Sequence, residues 1–379
     1  MKSPAFYVRP VANVVAIFLI FVCSASAQPQ TPLKPTLPGA AAGHIVIFRP
    51  GTPPAARALS VRQAGGSVRF NYNIVDAVAV ELLNPNAVAA LQQDSSVTAI
   101  IPDRPMYAIQ LPTDPEAAIT ARATRQTIPA GVRRVGVPTS TSNGSGIGVA
   151  IVDTGIDFGH RDLAPSSQSF SAVGTSCQDD HGHGTHVSGI VAALNNTVDV
   201  VGVAPNAKLY CVKVLNALGS GSDASIMAGL DWVFTNSSLV VPAIRVVNMS
   251  LGRPGTLDDN PALRASVQSL YNAGIVVVVA AGNDSNSEVS QEVPATYPEV
   301  FAVASTTAVN GSNSCFLLQG SILADTASYF TTDGRFDQPT KIGVTISVPG
   351  EDQENVSLFC GVTSVGILST KLGGGTTRL

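Results

Sequence analysis

Charge is scarce in this sequence. Lys, Arg, Asp and Glu make up 13% of its 379 residues, and no basic run follows the first few positions. Nucleic acid is therefore not an expected partner. The same scarcity, set against 45% hydrophobic residues, excludes a disordered chain. Histidine is rarer still: there are 5, and none follows His186. Cysteine is limited to 5 residues. Long apolar runs are missing too, apart from "VANVVAIFLIFVC" near the start, which is short for a membrane span.

That run has a different reading. Lys2 and Arg9 precede or flank it, and "SASA" follows it before Gln28. A basic start, a short greasy stretch and an Ala-x-Ala exit describe a secretory signal peptide over residues 1–27, cut after Ala27. Export removes Cys23 and leaves Cys177, Cys211, Cys315 and Cys360, an even number for an oxidising compartment. Of the three possible pairings, Cys177–Cys211 and Cys315–Cys360 are preferred, with free thiols as the alternative.

Glycine (34) and proline (25) are plentiful and punctuate the chain. Residues 28–42 form a Pro-rich linker. "HIVIFRPG", "AVAVELL" and "VTAIIPD" have the pattern of strands and "PNAVAALQQD" that of a short helix, giving a small α+β module that ends near Met106. "LPTDPEAAITARATRQT" follows as an exposed, cleavable joint. From about Gly148, apolar runs ("GVAIVDTG", "KLYCVKVL", "IRVVNMSLG", "GIVVVVAAGN", "VFAVAST") alternate with helical patterns ("THVSGIVAAL", "ASIMAGLDWVF", "PALRASVQSLYNAG"). Val/Ile runs joined by helical crossovers predict an α/β fold with a parallel sheet buried on both faces. Asp153, Asn248 and Asn283 stand at or near the C-terminal ends of three runs, the edge where such sheets place their sites.

"DDHGHGTHVSG" concentrates His181, His183 and His186. A zinc site built on them would need further ligands, since catalytic zinc takes three protein ligands and an open position. The rest of the chain offers only His44 and His160. A general base is the better reading. Asp153 could orient an imidazole, and the Asn283 amide could donate to a developing oxyanion.

Together "AIVDTGID", "HGHGTHVSG", "LNNTVDVVGVAPNAKLYCVKVL", "VVNMSLG" and "VVVVAAGN" resemble the subtilisin-like serine proteases, in that family's order, over about residues 125–379. The resemblance implies a doubly wound parallel sheet, with residues 43–124 as a ferredoxin-like inhibitory propeptide and its cleavable joint. It also implies Asp153 as triad acid, His183 as general base and Asn283 as oxyanion donor. Gly219, Ser220 and Gly221, with Ser250, Leu251 and Gly252, would clamp an extended peptide. A structural calcium is implied as well, held by Gln126, Asp162, Leu194, Asn196, Val198 and Val200, a hard-oxygen set. The protein would then be a secreted, monomeric endopeptidase precursor, free of membrane after signal removal and inhibited by its own propeptide. One departure is large: no Gly-Thr-Ser-Met run occurs, and Ser364 in "GVTSVGILST" lacks the helical pattern that should follow a nucleophile. The expectation is a peptidase domain truncated before its serine, the alternative a non-catalytic peptide-binding pseudoprotease.

Overall fold

Residues 43–82, 84–109, 125–137, 141–317 and 320–379 are described by a computed structural model. The signal segment 1–27, the linker 28–42 and most of the joint, 110–124, lie outside these residues. Residues Ala41–Leu379 make one contact unit.

Its first part runs β1 (Gly43–Phe48), α1 (Pro54–Gln63), β2 (Gly66–Asn71), β3 (Ala77–Leu82), α2 (Pro85–Gln93) and β4 (Val97–Pro102). The strands form an antiparallel sheet in the order β2-β3-β1-β4, the split βαββαβ arrangement of ferredoxin-like modules. Alternation along β1 and β3 explains it. Val46, Phe48, Val78 and Val80 pack with Val61 and Leu91 of the two helices, while Ile45, Ala77 and Ala79 turn the other way into the principal core. Helix α1 and strand β2 carry too weak an apolar rhythm for the sequence pattern to mark them. A fifth strand, β5 (Pro105–Ala108), leaves the module.

After a short helix, α3 (Ala130–Arg134), the larger part begins: β6 (Gly148–Asp153), β7 (Phe170–Ser171), α4 (His183–Ala192), β8 (Lys208–Lys213), β9 (Ser220–Ser222), α5 (Asp223–Asn236), β10 (Ile244–Met249), β11 (Leu251–Pro254), α6 (Pro261–Asn272), β12 (Val276–Ala280), β13 (Glu292–Val293) and β14 (Phe301–Thr307). Next come β15 (Gly311–Asn313), β16 (Gly320–Ile322), β17 (Ile346–Glu351), β18 (Gln353–Val356), β19 (Val362–Val365), β20 (Leu368–Thr370) and β21 (Thr376–Arg378). Seven strands build the main sheet in the order β17-β14-β12-β10-β6-β8-β7, and every pairing is parallel. The fold is α/β and doubly wound. Ala150, Val152, Tyr210 and Val212 face α5 and α6, whose Ile226, Leu230, Leu263 and Val267 close that core. Val149, Ile151, Leu209 and Cys211 face the opposite side, where α4 covers them with Val187. Helix starts are fixed locally. Ser222 and Ser225 cap α5 reciprocally, and Asn260 caps α6 just before Pro261.

The second face is only half covered. Along β12, Val277 and Val279 are buried whereas Val276 is 42% exposed, and Phe301 of β14 and Ile346 of β17 are 47% and 51% exposed. With Val278, Val303, Val348 and Ile367 they line an open apolar cavity of about 540 Å³. At the sheet edge, β16-β15-β18-β19 form a small lobe that the sequence pattern does not announce. Two disulfides tie the larger part: Cys177–Cys211, with Cα atoms 6.1 Å apart, and Cys315–Cys360, at 4.6 Å.

Candidate active site

Strand β6 ends on Asp153, which is fully buried, and α4 begins on His183. What aligns them is a carboxylate that the motif reading passes over. Asp179 accepts from the N–H groups of His181, Gly182 and Thr185 and from the hydroxyls of Thr154 and Thr185. Burial opposes its charge, yet these bonds hold its pKa below the usual carboxylate range. Thr154 in turn accepts from the Gly184 N–H, so the turn after β6 is pinned to the start of α4. Gly184 is obligatory there, since a Cβ would lie 2.1 Å from the Gly155 carbonyl oxygen.

The result is a close acid–imidazole pair. His183 Nδ1 lies 2.7 Å from Asp153 Oδ1, and Asp153 also accepts from the Thr154 N–H. Burial pulls the His183 pKa down, but the charge and hydrogen bond of Asp153, with the Ile109 carbonyl, overcome it and leave the pKa raised. The other histidines do different work. His181 accepts from the His183 N–H, and its pKa is lowered by burial and by the neighbouring His183. His186 is buried and contacts the Ile367 carbonyl, and burial pushes its pKa down to about 4.

Beyond His183 lies an extended segment of the chain itself. Strand β5 runs antiparallel between β9 and β11: Met106 pairs with Gly221, Tyr107 with both Ser220 and Gly252, and Ala108 with Leu251. The Ala108 N–H donates to the Gly219 carbonyl at 2.8 Å and the Ile109 N–H to the Ser250 carbonyl at 2.9 Å. The six residues expected to clamp a peptide thus flank one strand, and that strand is internal. At its end, the Ile109 carbonyl oxygen sits 3.0 Å from His183 Nε2. Gly252 permits the approach, because a Cβ there would lie 3.1 Å from Ile109 Cδ1. Asn283, just past β12, lines the same cavity as His183, Ser250 and Ile109. Ser364 lies elsewhere. It stands in β19, paired with β18, with its hydroxyl bonded to Glu351.

The module grips the larger part at more points than the strand alone. Asp103 accepts from the Ala224 N–H in the first turn of α5, Arg104 meets Asp259 at 2.5 Å, and Asp231 on α5 accepts from the N–H groups of Asn73 and Ile74. Buried Arg57 donates to the carbonyls of Tyr72 and Val75, shaping that docking loop. No local motif announces these contacts, which join residues far apart in sequence.

A third cluster gathers around Gln126. Its amide nitrogen donates to the Leu194 and Val200 carbonyls at 2.8 and 3.1 Å and lies 3.4 Å from Asn196 Oδ1. Asn196 donates to Asp162 Oδ1, the Val200 N–H donates to Asp162 Oδ2, and the Val198 N–H donates to Asn196 Oδ1. Burial raises the Asp162 pKa to about 6. Two carbonyl oxygens and the Asn196 amide oxygen converge on a point taken up by the Gln126 NH₂, while Asp162 is held one bond away by Asn196 and Val200; these neutral and acidic oxygens fit a hard cation.

Comparison with known proteins adds the family. The sequence profile of the subtilase family matches residues 144–377. Subtilisin E of Bacillus subtilis (strain 168) is 37% identical over 260 residues, 67% of this chain and 61% of its own length. An alkaline protease of Alkalihalobacillus alcalophilus is 39% identical over 239 residues, 62% and 56% of the two chains. Subtilisin Savinase of Lederbergia lenta is 43% identical over 185 residues, 48% and 64%. Each match spans less than two thirds of the relative's length. The profile covers the whole parallel sheet and both partners of the Asp153–His183 pair, and the chain belongs to the subtilase family.

Proposed function

We propose that this protein is a secreted subtilisin-like serine endopeptidase precursor, and that residues 43–109 are its inhibitor. One observation carries the reading: a peptide carbonyl, that of Ile109, stands at Nε2 of an imidazole whose Nδ1 is held by a buried carboxylate. That is where a general base must be to take a proton from a nucleophile attacking the carbonyl and pass it to the leaving amine. Asp153 fixes the tautomer and stabilises the imidazolium, Asn283 donates to the oxyanion, and residues 219–221 and 250–252 hold the substrate backbone. The nucleophile is a serine that these 379 residues do not supply in a Gly-Thr-Ser-Met run.

The half-covered sheet face supports this over the pseudoprotease reading. A helix carrying that serine would bury Val276, Phe301 and Ile346 and bring its first residue beside His183, whereas a finished binding protein has no cause to leave so apolar a face open. Gln126, Asp162, Leu194, Asn196, Val198 and Val200 would hold calcium, which supplies the positive charge that the Gln126 amide imitates. Residues 1–27 direct export, 28–42 link, and the mature enzyme begins near Arg125 as a monomer acting on peptides.

The test is to join residues 1–379 to a segment bearing Gly-Thr-Ser-Met and its helix. Peptide hydrolysis that disappears with His183→Ala, and that the separate module 43–109 inhibits at micromolar concentration, supports the reading. A folded, peptide-binding but inert product with every residue in place argues for the pseudoprotease.

A further inference from the structure

Asn283 is exposed, just past the end of β12, on a turn that a residue distant in sequence holds in place. Before the turn, the Ala281 N–H still donates to the Val303 carbonyl of β14. The turn itself is gripped by Thr332, which is fully buried and lies 48 positions after Asp284. The Thr332 N–H donates to the Gly282 carbonyl at 3.0 Å. Its hydroxyl accepts from the Asp284 N–H and donates to the Asp284 carbonyl, both at 3.1 Å. One residue thus holds the neighbours of Asn283 on either side. A hydroxyl can serve both groups of Asp284 because one atom carries a donor and acceptor lone pairs. Gly282 permits the contact: its φ is +127°, and a Cβ there would lie 2.5 Å from Thr332 Oγ1.

Thr332 is in turn fixed from the sheet. The Ser305 N–H of β14 donates to the Thr331 hydroxyl at 3.0 Å, and the Ser328 N–H donates to the Ser305 carbonyl at 3.0 Å. The far side of the turn is closed by the Asp284 carboxylate, which accepts from the Asn286 N–H and the Ser287 hydroxyl. Gly282, Asn283 and Thr331 line the cavity that His183 also lines. We propose that Thr332 is a positioning residue: it sets the turn 282–284 so that the Asn283 amide is aimed at the developing oxyanion. Being buried, it acts through backbone bonds and not on the substrate. An oxyanion donor is effective because its direction is fixed before the reaction, and an exposed asparagine on an unheld turn would lose that advantage. As a catalytic role this rests on the peptidase reading; as a clamp on the turn it does not.

The test pairs Thr332→Val, which keeps the shape and removes the hydroxyl, with Thr332→Ser, which keeps the hydroxyl. In the chain joined to the serine-bearing segment, Thr332→Val is expected to lower kcat about tenfold or more while KM stays within about twofold. Thr332→Ser should retain at least about a third of kcat. Asn283→Ala should lower kcat about 100- to 1000-fold, and Thr332→Val added to it should change kcat less than about twofold, because the donor being aimed is gone. An equal loss from Thr332→Val with and without Asn283, a loss carried by KM, or a Thr332→Ser as impaired as Thr332→Val overturns the proposal. Hydrogen exchange at the Asp284 amide of the 379-residue chain reads the clamp without hydrolysis. It should be about tenfold faster in Thr332→Val and change less than about threefold in Thr332→Ser; unchanged exchange in Thr332→Val overturns the proposal as well. Should Thr332→Val not fold, Thr332→Ala removes the same hydroxyl without adding volume and takes its place. If exchange behaves as expected but the completed chain cleaves nothing, the peptidase reading fails, and the catalytic role of the clamp with it.

Discussion

The two halves of the main sheet are built alike on one face and differently on the other. Over β6 and β8 both faces are closed, one by α5 and α6 and the other by α4 with Val187, and every residue of β6 is buried. Over β12 and β14 the first face also joins the principal core, through Val277, Val279, Ala302 and Ala304, but the second leaves Val276 and Phe301, with Ile346 of the edge strand β17, to solvent. β12 (VVVVA) is at least as apolar as β6 (GVAIVD), so composition does not make the difference there. What differs is the supply of a covering helix. The closed half holds the Asp153–His183 pair, and on the proposed reading the open half is where a serine-bearing helix completes the site.

The sharpest way to break this comparison is to cut matching side chains in the two halves. Ile151→Ala, in the closed half, is expected to cost about 3–4 kcal/mol in urea unfolding, and Ile346→Ala, in the open half, less than about 1 kcal/mol. Equal costs would mean that the open face is covered by something else. Removing the Cys177–Cys211 crosslink with paired serines should cost about 2–4 kcal/mol, because it ties β8 to the segment feeding α4.

Calcium sharpens the comparison from the other side, since Leu194 and Asn196 lie just past the end of α4. At 100-fold excess over Kd, calcium should stabilise the protein by about 2.7 kcal/mol, and Asp162→Ala or Asn196→Ala should abolish that response in a melting experiment.

Much of the closed half was legible in the sequence. "GVAIVDTG" and "KLYCVKVL" are apolar without a break, which only a doubly buried strand tolerates, and the histidine cluster stands out for its rarity. Asp179 was not legible as the organiser of that cluster, because its role depends on a turn that brings three N–H groups around one carboxylate. Strand β5 was harder still. "PMYAI" has little rhythm of its own, and its conformation is imposed by β9 and β11, more than 100 positions away in sequence. The lobe around Cys315–Cys360 is likewise made of short strands paired across a long loop.

That lobe yields the smallest expected effect. Burial, with Glu351 alongside, pushes the Glu354 pKa up to about 7, so the folded state binds a proton that the unfolded chain has already lost. Stability should therefore be highest below about pH 4.5 as far as this group is concerned and fall as pH rises to about 7. Glu354→Gln, which keeps the shape of the protonated acid, should raise Tm by about 2–4 °C at pH 8 and leave it unchanged at pH 4. A rise of the same size at both pH values would assign the effect to packing.

The central claim is that the Ile109 carbonyl is the one presented to His183. Mass spectrometry of the first product formed by a chain carrying the serine-bearing helix tests it most directly. The account predicts an initial cut after Ile109, giving a fragment that begins at Gln110 before any trimming toward Arg125. A first cut at Arg125 itself, with the 109–110 bond intact, would contradict it.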